Sequence, residues 1–108
     1  IRRPPGSTLF PYTTLFRSLF EKFFAAYLER APELTEPELA AIPESIELIS
    51  YELAARFLVD ALEERYFGWD PSRFSARGEH NLVRARGEAA FARSAREAIP
   101  ACRRLLSV

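Results

Sequence analysis

The chain is short of several residue types, and each shortage excludes something. A single cysteine, Cys102, allows no internal disulfide and points to a reducing compartment such as the cytoplasm. Cys102 reads as a small core residue rather than a nucleophile. Four scattered glycines leave no glycine-rich phosphate loop. Two aspartates, Asp60 and Asp70, and one histidine, His80, provide no paired catalytic constellation. No apolar run approaches the roughly 20 residues that span a bilayer. No stretch has the charged-then-apolar form of a secretory leader. Internal repeats and low-complexity tracts are also missing.

What is present suits one small globular domain: 108 residues, 48% of them hydrophobic, with both charge signs. The formal net charge of zero hides an asymmetry. Residues 19–64 hold 11 acids against Lys22, Arg30 and Arg56, whereas residues 65–108 hold 9 arginines against Asp70, Glu79, Glu88 and Glu97. An acidic first half and a basic second half are expected to pack on each other, with Arg84 and Arg86 pairing to the acids. A nucleic-acid surface is the rival reading. The even overall balance and the core-like spacing of the aromatics oppose it.

Apolar periodicity predicts an all-α fold of antiparallel helices at about 19–30, 36–42, 44–66, 80–99 and 100–106. In the first, Phe20, Phe23, Phe24, Tyr27 and Leu28 line one face, as a core stripe does. Thr35 is a good N-cap for the second, with Glu38 completing a capping box and Leu34 and Leu39 a hydrophobic staple. Pro43 is expected to break or kink the chain, because proline disfavours helical geometry in the preceding residue. The central helix, 46–67, organises the rest. Ile46, Ile49, Leu53, Phe57 and Ala61 form one apolar stripe; Leu48, Tyr51, Ala55, Leu58 and Leu62 form another. A helix apolar on two sides is packed on two sides. Glu52, Arg56 and Asp60 follow at i, i+4, i+8 and lie in a row. Gly68 is expected to be the central helix's left-handed C-cap. A turn-rich loop follows, anchored by Trp69 and Phe74. His80 or Asn81 caps the last helix, Gly87 marks a tight crossing and Pro100 kinks or restarts the helix.

Two resemblances are legible in particular residues. Residues 1–18, IRRPPGSTLFPYTTLFRS, resemble the in-frame translation of a short-read sequencing adapter, RRPPRSTLFPYTTLFRS, differing only at Gly6. Such a segment has had no selection to fold, so the native chain is expected from Leu19 and to be a truncated piece of a longer protein. The second resemblance rests on ELTEPEL at 33–39, ELAARFLVDALEERYF at 52–67 and HNLVRAR at 80–86. In that order these are similar to the C-terminal helical part of the aminoglycoside phosphotransferase superfamily, on the branch of N-acetylhexosamine 1-kinase-like sugar kinases. That branch carries patterns like ELGIRFLTDYLEGDVYF and HNLxRxRxQ. Two departures stand out: Glu64-Arg65 replaces the family's Gly-Asp and is one residue shorter, and Gly87-Glu88 replaces its final glutamine.

The resemblance implies part of a protein-kinase-like C-lobe, from a parent enzyme using ATP and magnesium. The family's His-Gly-Asp segment and later metal-binding Asp have no counterpart, so residues 19–108 are expected to be inactive alone and to hold no cofactor. The implied partners are the missing N-terminal catalytic part and a small-molecule acceptor, with neither nucleic acid nor membrane. The implied acceptor-binding residues are Arg56, Tyr66 and Trp69. An arginine donates several hydrogen bonds to hydroxyl oxygens, and a flat aromatic suits the apolar face of a sugar. Each has a plainer reading: Arg56 in a ladder with Glu52 and Asp60, Tyr66 as packing, Trp69 as a loop anchor. A self-standing helical interaction module is the alternative function, since the helix-capping signals are complete. The kinase-fragment reading also expects a large apolar surface left exposed.

Overall fold

A computed structural model describes residues 10–31 and 33–108; residues 1–9 of the adapter-like segment and Pro32 lie outside the described residues. The described chain is all-helical: α1 (Phe10–Arg30), α2 (Glu36–Glu63) and α3 (Arg77–Leu106). They group into two compact units, one of residues up to Ile46 with Ser94–Val108, the other Glu47–Arg93.

Five expected helices are three because neither internal proline ends one. Pro43 is buried inside α2, and Pro100 lies inside α3. A proline removes one ladder hydrogen bond and crowds the preceding turn. At both positions packing on either side outweighs that local cost. Ile42 and Ile46, bracketing Pro43, pack against the core of the first unit; Ala98 and Cys102, bracketing Pro100, belong to that core. The Ser45 hydroxyl also donates to the Ile42 carbonyl (2.8 Å). α1 likewise starts at Phe10 rather than at Leu19. Extending an existing helix costs little compared with starting one, and Pro11 falls in the first turn, where no N–H is needed.

In the first unit, Phe20, Ala98, Cys102 and Leu106 form the buried centre, with Phe16, Phe24 and Leu28 against it. The Phe20 and Phe24 ring centroids are 4.7 Å apart. Small residues on α3 let the α1 aromatics approach closely. Arg103 pairs with Glu44, joining the basic and acidic halves of the sequence. Burial pushes the Cys102 thiol above its ordinary range, against an opposing pull from Arg17, so it is an inert core residue. The capping box at Thr35 is present: Thr35 N donates to Glu38 Oε2 (2.7 Å) and Glu38 N to Thr35 Oγ1 (3.4 Å).

In the second unit, α2 and α3 run antiparallel. Gly78 meets Ala61, Asn81 meets Asp60, and Arg84 lies over the Phe57 ring, so the contacts step in opposite directions along the two helices. The tight crossing is at Gly78, not Gly87. A Cβ on Gly78 would sit 2.5 Å from the Ala61 carbonyl oxygen, whereas one on Gly87 would meet nothing within 4 Å.

Candidate functional site

The site is built around the early end of α2. The helix stops at Glu63, three to four residues before the expected end, and Gly68 takes no part in the cap. Glu64 adopts the left-handed conformation (φ 53°) instead. The cause is Asp60, which is 2% exposed. Its Oδ1 accepts the Arg65 and Tyr66 N–H groups (2.8 Å each), and its Oδ2 accepts Phe67 N–H (2.9 Å) and Asn81 Nδ2 (2.7 Å). Three successive backbone donors bound to one carboxylate fold the chain back over the helix end. Asp60 therefore does not join a surface row with Glu52 and Arg56.

Burial by itself pushes the Asp60 carboxyl up. The N–H donors of Arg65, Phe67 and Tyr66, helped by Arg77, outweigh that and hold it below the ordinary carboxylate value. Asn81, 0% exposed, is likewise no helix cap. Its amide binds Asp60, and its Oδ1 accepts from Arg84 Nη1 (2.9 Å), which also donates to the Gly68 carbonyl. Arg77 donates to the Glu64 carbonyl (2.9 Å). Arg77 and Arg84 thus clamp the loop by its carbonyl oxygens, where an ion pair from Arg84 to α2 was expected.

α3 starts at Arg77, where Glu79 Oε2 accepts the Ser75 N–H (3.1 Å) and hydroxyl (2.7 Å). His80 Nδ1 accepts Asp70 N–H (3.0 Å), and its ring stacks on Phe74, centroids 4.2 Å apart. Desolvation, then Arg84 and Arg73, hold His80 below its ordinary value against Asp70. An imidazole accepting at Nδ1 carries its proton on Nε2.

The fold-back creates a cleft of about 570 Å³ on the outer side of α2. Arg56, Val59 and Asp60 line one wall; Arg65, Tyr66 and Phe67 line the other. Two of the three sequence-selected residues, Arg56 and Tyr66, meet there; Trp69 is half-buried and does not line the cleft. Arg56 Nε donates to Glu52 Oε1 (2.8 Å), and Arg65 Nη2 to Glu63 Oε1 (2.8 Å). The Tyr66 ring, 75% exposed, meets Phe67 edge-on, and Phe67 lies against Phe57. Asp60 and Asn81 were missed as site-forming residues. The available signal was an aspartate one turn before a helix C-terminus, where the helix dipole disfavours negative charge.

Among the described residues, no group of three His, Cys, Asp or Glu side chains lies together as a metal site would require. No helix among them is long and apolar enough to cross a membrane. No protein-family model matches the chain, and comparisons with curated proteins and with solved structures found no match.

Proposed function

We propose that this chain is the acceptor-binding helical part of an ATP-dependent small-molecule phosphotransferase of the cytoplasm, one whose acceptor is a sugar or an aminoglycoside-like compound. The supporting observation is that Arg56 and Tyr66, chosen from the sequence resemblance, line the same cleft. With Nε–H taken by Glu52, the guanidinium has four further N–H groups to offer hydroxyl or carbonyl oxygens. The exposed Tyr66 ring offers a flat apolar face, and Asp60 holds the wall that bears it. The partner in this reading is the catalytic part of the parent enzyme. The exposed α1 side chains Leu19, Phe23 and Tyr27 are the kind of surface such a partner covers.

The residues present do not fit magnesium. Both Asp60 oxygens are occupied by N–H donors, and Asp70 Oδ1 accepts the Ser72 N–H (3.0 Å) and hydroxyl (2.6 Å). No phosphoryl-transfer step is assigned to this chain, and it is expected to show no ATP turnover alone. The binding role is tested by titrating the labelled chain with N-acetylhexosamines, an aminoglycoside and choline. The expected result is saturable shifts of the residue 65–67 amides with one class, weakened by Arg56→Ala and Tyr66→Ala. Absence of saturable shifts with all of them defeats the reading.

A second reading, a self-standing helical interaction module, is favoured by the closed capping at Thr35, Asp60 and Glu79. It expects one cooperative melt of the chain in isolation, whereas a broad, non-cooperative loss of helicity counts against it.

A further inference from the structure

The cleft wall of Arg65, Tyr66 and Phe67 is tied down on both sides. Upstream, the Asp60 carboxylate accepts all three N–H groups. Downstream, three residues past Phe67, the Asp70 N–H donates to His80 Nδ1 (3.0 Å). Between these ties Arg84 Nη1 donates to the Gly68 carbonyl and to Asn81 Oδ1, and Asn81 Nδ2 donates to Asp60. Arg84 also lies over the Phe57 ring (5.6 Å to its centroid), and Phe57 meets Phe67, centroids 4.4 Å apart. The wall and the loop that follows it therefore share one connected network within the Glu47–Arg93 unit.

His80 is the member of this network whose charge changes in the range of about pH 5 to 8. Neutral, its ring accepts at Nδ1 and stacks on Phe74, whose own N–H donates to the Asp70 carbonyl (3.1 Å). Protonated, it carries an N–H at Nδ1 facing the Asp70 N–H, two donors with no acceptor between them. The charges around the ring are mixed. Arg84 on its own helix and Arg73 on the loop repel an imidazolium, and the Asp70 carboxylate attracts it. On the α2 side, Glu64 stands beside Gly78 and Asp60 is bound to Asn81. To meet the Asp70 carboxylate, a charged ring must leave the Asp70 N–H. Repulsion and attraction alike undo the downstream tie.

We infer that His80 is a proton-sensitive latch on the cleft: neutral, it holds the 68–76 loop and through it the wall of Arg65, Tyr66 and Phe67; protonated, it frees both and weakens acceptor binding. The last step rests on reading the cleft as the acceptor site, so the latch is tested first without an acceptor. The labelled 108-residue chain is titrated by NMR from about pH 8 to about pH 5. The His80 ring should titrate with a midpoint below its ordinary value of 6.5. The Tyr66, Phe67, Gly68 and Asp70 amides should shift with that same midpoint, while amides of residues 98–106 in the other unit stay in place. His80→Gln, whose side-chain oxygen can accept the Asp70 N–H but takes up no proton, should abolish the step. An N-acetylhexosamine that binds at the basic end should lose affinity at the acid end with the parent, and keep it with His80→Gln. Wall amides that do not follow the His80 midpoint overturn the inference. So does an acceptor held equally tightly at both ends by the parent. Failure of every acceptor to bind at any pH defeats the acceptor reading alone, and the amide titration still decides the latch.

Discussion

Asp60 shows how one side chain decides local backbone path. A carboxylate taken from water needs replacement hydrogen bonds, and four N–H groups supply them here. Asp60→Asn keeps the size but loses the charge, and turns an N–H group toward donors that already occupy the site. Its expected effects are a lower melting temperature and displaced amide resonances at 65–67, read by calorimetry and NMR. A variant matching the parent in both would show that the fold-back stands without the carboxylate. The two helical glycines give opposite expectations. Gly78→Ala forces a methyl group into the Ala61 carbonyl, a backbone atom that cannot swing away, and should cost about 1–3 kcal/mol. Gly87→Ala fills open space and removes a poor helix former, so it should stabilise by up to ~1 kcal/mol. Urea titration of both variants checks the contrast.

At the scale of elements, each boundary has a named cause. α2 begins where Thr35 and Glu38 exchange hydrogen bonds, and Thr35→Ala should cost about 1 kcal/mol in the same titrations. α3 begins where Glu79 reaches back to Ser75. α3 ends with Arg103 and Arg104 in its last turn, favourably placed against the helix dipole, and with Ser107 in the left-handed conformation. The prolines show the limit of local rules. Pro43 and Pro100 disfavour helix where they stand, yet both helices continue, because the core of the first unit holds residues on either side of each.

At the scale of the whole molecule, charge sets the response to acid. Glu38, Asp60, Asp70 and Glu79 all have carboxyls held below their ordinary values. A depressed carboxyl contributes stability that is fully present above its unfolded value and is lost as pH falls through the folded one. Stability should therefore hold above about pH 5 and fall as pH drops below the ordinary values of 4.5 and 3.8. His80 acts with the same sign at higher pH. Its folded value lies below 6.5, so its contribution is present above that and fades as the imidazole protonates. Chemical denaturation from pH 8 to pH 3, repeated with His80→Gln, should show the upper step vanish and the lower one remain. An unchanged upper step would remove His80 from the account.

The sequence by itself determined the helical class and the Thr35 capping box, which follow from apolar period and from a cap and its partner three residues apart. Of Arg56, Tyr66 and Trp69, singled out by the resemblance, the fold brings the first two to one cleft and leaves Trp69 outside it. The sequence could not determine that Pro43 and Pro100 are tolerated, that Gly78 rather than Gly87 lies at the crossing, or that Asp60 turns inward. Each of those depends on what the opposite helix brings: apolar side chains beside the prolines, the Ala61 carbonyl against Gly78, the Asn81 amide against Asp60. Periodicity fixes which face of a helix is apolar. Only packing in three dimensions selects which apolar face is buried: on α2, Ile46, Leu53 and Phe57 turn partly inward beside the buried Ser50, Ala54 and Asp60, while Leu48, Leu58 and Leu62 face outward.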